Sequence, residues 1–161
     1  MKTKNLLQLA AVWMLAFVLM GCPYNNDLPL STTGIKVPDA LLGIWEVSGE
    51  NGNKVKITKT SETTMAIEKT DGYDGTVSNY EGHITLVGGV MFINVKETGD
   101  YATYYFYKIE KDGEYKTTIY PVTTYIREQF ASSEELKAFF EKNMVNSYFY
   151  TTDQETYYKI K

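Results

Sequence analysis

The chain has 161 residues, with 16 basic and 20 acidic side chains, a single histidine, 14 tyrosines and 7 phenylalanines. That length suits one ordinary domain, and the acidic balance argues against nucleic acid as a partner, because phosphate binding needs clustered Lys and Arg whereas Arg127 is the only arginine. Cys22 is the only cysteine, which excludes an internal disulfide and a Cys-based zinc site.

Residues 1–22 are a population apart from the rest. Lys2 and Lys4 make a positive start, and Leu6 to Met20 is apolar apart from Gln8. As a helix this stretch spans about 22 Å, short of the roughly 30 Å hydrocarbon core of a bilayer, so it reads as a signal helix and not as a permanent span. It ends in Leu19-Met20-Gly21-Cys22, which resembles the lipobox of bacterial lipoproteins. The resemblance implies a signal peptide over 1–21, diacylglycerol transfer to the Cys22 thiol, cleavage after Gly21 and acylation of the new amine by a chain such as palmitate. Two or three acyl chains, at about 0.8 kcal/mol per buried CH₂, anchor a protein stably to a membrane. From Cys22 onward 14 basic residues face 20 acidic ones, a net charge of −6. Residues 22–38 carry Pro23, Pro29, Pro38 and Gly34 among small polar residues and read as a flexible or extended tether. Pro23, not Asp, follows Cys22, so the inner-membrane retention signal of some Gram-negative bacteria is missing. The expected location is the cell envelope, at the outer membrane.

Residues 39–161 read as one domain of short alternating strands with turn signals every eight to twelve residues, the pattern of a meander barrel or sandwich. Leu41, Gly43, Trp45 and Val47 share one face, and Asn51-Gly52 is a hairpin signal. Val55 with Ile57, then Met65 with Ile67, repeat the alternation before the acidic loop Asp71-Gly72-Tyr73-Asp74-Gly75. Ile84 and Leu86 mark the next strand, Gly88-Gly89 a turn, and Met91, Ile93 and Val95 the strand after it. Thr98-Gly99-Asp100 leads into Tyr101 to Glu110, the most aromatic strand, and Asp112-Gly113 into Tyr115 to Tyr120. Pro121 marks an edge, a bend or a bulge. The period then changes: Ser132 with Glu135 forms a capping box, and Leu136, Phe139, Phe140 and Met144 recur at helical spacing, predicting a helix over 132–144. Tyr148–Tyr150 and Thr156–Ile160 read as closing strands. The fold class expected is mainly β: an antiparallel meander barrel with one late helix and a final strand.

Gly43-Ile44-Trp45 resembles the Gly-x-Trp motif of lipocalins, and the order of meander, Arg127, helix and strand is similar to the lipocalin plan. The layout looks like the compact lipocalin-like domains of small lipoproteins of the Bacteroidota. The resemblance implies that Trp45 plugs the closed end of the barrel and that Arg127 packs across its ring, a cation–π contact worth about 0.5–2 kcal/mol.

Nothing in the chain calls for a cofactor, and no Gly-x-Ser-x-Gly elbow, phosphate loop or singled-out carboxylate pair appears. His83 and Glu81 share a strand face, which allows a Glu–His pair, but His83 reads as part of a surface cross-strand pair, since a metal site needs several ligands. Asp71 and Asp74 lack the EF-hand spacing and read as a solvated turn. The aromatic strand is the candidate ligand site. Tyr105, Tyr107 and Tyr115 are its expected contacts, because tyrosine combines a flat apolar body with a hydroxyl tip. Both faces of that strand are aromatic, so the second must be covered by helix, partner or water. Two readings follow: a non-enzymatic, membrane-anchored barrel holding a small apolar or amphipathic ligand, or an envelope structural protein docking a partner through its aromatic surface.

Overall fold

A computed structural model describes residues 24–49, 52–98 and 103–160. The signal segment, the Leu19–Cys22 motif, Asn51, Gly99, Asp100 and Tyr101 lie outside the described residues. Among the described residues nine strands form in chain order: β1 (Asn25–Asn26), β2 (Gly43–Val47), β3 (Lys54–Lys59), β4 (Thr64–Thr70), β5 (Val77–Val87), β6 (Val90–Glu97), β7 (Tyr104–Lys111), β8 (Lys116–Pro121) and β9 (Glu155–Ile160). From β2 to β8 each strand pairs antiparallel with the next, and β9 pairs with both β2 and β8. The eight strands β2–β9 therefore close into the expected meander barrel. Among the described residues no helix is long and apolar enough to cross a membrane.

Local sequence explains the elements. Alternation puts Trp45, Val47, Val55, Met65, Ile67 and Ile84 inside the barrel, while Lys54, Lys56 and Glu46 stay in water. Gly88 and Gly89 both have positive φ (53° and 84°) and join β5 to β6 in a two-residue turn, which only glycine adopts at both positions without strain. The helix α1 (Ser133–Asn143) starts where the capping box places it: the Ser132 hydroxyl accepts from Glu135 N–H at 3.2 Å, and Glu135 accepts from Ala131 N–H at 2.9 Å. Tyr148–Tyr150 is not a strand. Ser147–Phe149 makes a 3-10 turn, and Tyr150 adds only an isolated bridge to Val122. Phe149 turns inward against Phe140, ring centroids 5.0 Å apart, so these aromatics serve the helix and not the sheet.

Two cores result. One fills the barrel, around Met65, Ile67, Ile84, Ile93 and Ile109, and is covered at one end by Val37 and the 3-10 turn Asp39–Leu41. The other lies outside the barrel, where Phe92 and Phe106 on β6 and β7 meet Leu136 and Phe140 of α1. Phe140 packs edge-on to Phe92 at 5.5 Å and Phe106 at 5.3 Å. On the same side Lys108 stands over the rings of Tyr120 and Tyr150, at 4.2 and 4.6 Å, and pairs with Glu110.

The stretch read as a tether is not free along its described part. Tyr24 stacks on Phe106 at 5.8 Å, and β1 pairs with Tyr104 and Tyr105, using the part of β7 that β8 leaves open once it stops at Pro121. Leu30 is buried, and its N–H donates to Asn94 Oδ1 at 2.7 Å; the Asn94 amide in turn donates to Thr85 Oγ1 and the His83 carbonyl. Ile35 N–H reaches the Ile84 carbonyl and Val37 N–H the Glu62 carbonyl. Gly34 allows this approach, since a Cβ there would stand 2.7 Å from the Thr63 carbonyl oxygen and 2.9 Å from His83 Cβ.

Phe140 touches four rings at the centre of the outer core. Phe140→Ala is expected to cost about 3–5 kcal/mol in urea unfolding, because the rigid barrel wall cannot collapse into the space left.

Candidate functional site

The barrel interior is not filled. A cavity of about 300 Å³ runs along it, with apolar walls from Val55, Ile57, Met65, Ile67, Ile93 and Ile109. Trp45 is part of its lining near the covered end, its indole N–H donating to the Leu41 carbonyl at 2.9 Å. The cation on the Trp45 ring is Lys159, at 5.5 Å from the centroid, while Arg127 is exposed. This corrects the Arg127 expectation, and the cause is register: β9 sets Lys159 directly opposite Trp45. Lys159 Nζ also reaches the Ala40 carbonyl at 3.5 Å.

The polar lining gathers toward the other end, where β4 and β6 finish and β5, β7 and β9 begin. Lys69, Tyr80, Glu97, Tyr105 and Glu155 come from those strand ends, with Tyr107 and Tyr157 next in from Tyr105 and Glu155. The Tyr157 hydroxyl donates to the Glu155 carboxylate. Burial pushes the Tyr107 hydroxyl well above the usual phenol range, and the charge of Glu155 and the neighbouring Tyr80 and Tyr105 push the same way. Thr117, opposite Tyr157 across β8 and β9, lines the cavity with a buried hydroxyl that has no hydrogen-bond partner.

Of the expected contacts, Tyr105 and Tyr107 face the cavity. Tyr115 does not: it precedes β8, its side chain is largely outside, and its carbonyl accepts from Lys159 N–H. Sequence reasoning missed Tyr80, Thr117, Glu155 and Tyr157. The period-2 alternation of Glu155, Tyr157 and Lys159 was the available signal. The opposite face of β7 is covered by the protein's own helix at Phe106, which is fully buried.

The other singled-out residues have local tasks. His83 does not pair with Glu81; its ring Nε2–H donates to the Ser31 carbonyl at 2.8 Å, and burial lowers its pKa against the opposing effect of that bond. Asp71 Oδ1 accepts from Tyr73 N–H and Asp74 Oδ1 from Thr76 N–H, so the acidic loop spends its carboxylates on its own backbone. Among the described residues no group of three or more His, Cys, Asp or Glu side chains could hold a metal.

Fold and site together define a small closed antiparallel barrel with an apolar internal cavity and a polar end. No family model matches the chain, and no curated protein or solved structure is similar to it at a significant level.

Two outcomes follow from the lining. Thr117→Val keeps the shape and removes an unpaired buried hydroxyl, so it is expected to raise stability by about 1 kcal/mol in urea unfolding. Tyr107 keeps in the folded state a proton that the unfolded chain loses near pH 10. Its contribution is therefore complete below that pH and is lost as pH rises further. Urea midpoints compared at about pH 9 and about pH 11 should fall for the parent protein, and fall less for Tyr107→Phe.

Proposed function

We propose that this protein is a non-enzymatic, lipid-anchored envelope lipoprotein, held at the outer membrane through Cys22, whose barrel binds a small apolar or amphipathic molecule. The observation that carries the binding reading is the cavity of about 300 Å³, at the small end of ligand sites, walled by aliphatic side chains and furnished with a few polar groups at one end. The lipobox and the preceding apolar stretch support the anchor. On this reading the acylated residue stands two positions before Tyr24, whose ring is packed under α1. Two residues reach roughly 7 Å, so the barrel rests against the bilayer and does not swing on a long leash.

Titration of the protein with N-phenyl-1-naphthylamine, an apolar fluorescent probe, is expected to give saturable single-site binding. Ile119→Trp, which adds bulk at a half-buried cavity wall, should weaken it at least about tenfold with circular dichroism unchanged. Absence of saturable binding, or indifference to the tryptophan, overturns the binding reading. Independently, Cys22→Ser is expected to move the protein from the detergent phase to the aqueous phase on phase separation, and mass spectrometry of the Cys22 peptide should show the acyl chains.

A further inference from the structure

Four tyrosines and the Glu155 carboxylate line the apolar barrel toward one end, with Glu97 and Lys69 at the same end. Tyr80 comes from β5, Tyr105 and Tyr107 from β7, and Glu155 with Tyr157 from β9, all lining one cavity. Glu155 accepts from the Tyr157 hydroxyl and has no ion pair with any described residue, so carboxylate lone pairs stay open to a ligand. We propose that this polar end is a seat for an ammonium group: the cavity takes an apolar molecule with an amine or quaternary ammonium head, held by Glu155 and faced by the rings of Tyr80, Tyr105, Tyr107 and Tyr157. The proposal rests on the ligand-binding reading above and names the chemistry of the ligand.

Three observations converge on a cation. The cavity lining carries two carboxylates, Glu97 and Glu155, and one lysine, Lys69, so the site is short of positive charge by one at neutral pH. Tyrosine rings present their negative faces to a cation, and a desolvated site strengthens that attraction. The two largest causes of Tyr107's resistance to losing its proton are low polarity and the nearby Glu155 charge. The second of these opposes any anion brought to the same spot and favours a cation there. A fatty carboxylate would have only Lys69 to meet, at the strand end, while a neutral alcohol gains hydrogen bonds but no charge pairing.

The test uses the full-length protein carrying N-phenyl-1-naphthylamine, displaced by three probes with the same eight-carbon chain: octyltrimethylammonium, octanol and octanoate, all below their micelle concentrations. The ammonium compound is expected to displace the naphthylamine at a concentration at least about tenfold lower than octanol, with octanoate the weakest. Glu155→Gln should collapse that ranking, with circular dichroism confirming the fold. Tyr105→Leu should weaken the ammonium preference and Tyr105→Phe restore it, because phenylalanine keeps the ring face and loses only the hydroxyl. Octanoate binding as tightly as the ammonium compound, or a ranking untouched by Glu155→Gln, overturns the proposal and leaves an apolar-ligand barrel standing. Failure of the naphthylamine itself to bind removes the ligand-binding reading and this proposal together.

Discussion

Strand β7 is aromatic on both faces, and each face gains by leaving water. Tyr105, Tyr107 and Ile109 point one way, Tyr104 and Phe106 the other, and no single covering reaches both. The molecule answers with two different solutions. Closure of the sheet on itself removes the inner face from solvent, and α1 lies over the outer one. Because the helix is committed outside, it is not available to fill the barrel. The interior is left to side chains growing from eight strands, and Tyr, Ile and Val do not meet across its middle. The cavity is the residue of that division of labour.

Elements were more legible in the sequence than their partners. Period-2 alternation located the strands from Gly43 to Pro121, and the Ser132–Glu135 box located the helix start, because both signals act over a few residues. The Tyr148–Tyr150 error has a different origin: a short aromatic run fits a strand or a turn equally, and the deciding contact, Phe149 on Phe140, is tertiary. The same holds for the site. Tyr115 and Tyr105 look alike in the sequence, but a strand that starts one residue later sends its first side chain elsewhere. Lys159 reaches Trp45 only through the pairing of β9 with β2, which nothing local announces. Glu155 and Tyr157 join the site only when the sheet closes.

The N-terminal stretch shows how composition misleads in the opposite direction. Proline, glycine and small polar residues suggest a solvated linker, and residues 24–38 have that composition. Their attachment uses backbone N–H groups, which every residue except proline owns, placed on Asn94, Ile84 and Glu62. Only Tyr24, Leu30 and Val37 contribute large buried side chains. Asn94 in the middle of β6 is fully buried and spends its amide on the barrel and on this segment, as a buried polar group must.

Closure through β9 also has a consequence in time. Ile44 pairs with Ile160 across about 115 residues of chain, so the seam joins segments made near the start and near the finish of the domain. Until β9 is in place, β2 to β8 can pair only as an open sheet, with the β2 and β8 edges bare and the inner tyrosines wet. Such an intermediate is sticky at its edges. It also lacks a wall of the cavity, because Glu155 and Tyr157 have not yet arrived. The period before β9 docks is when the domain is most exposed to misassembly.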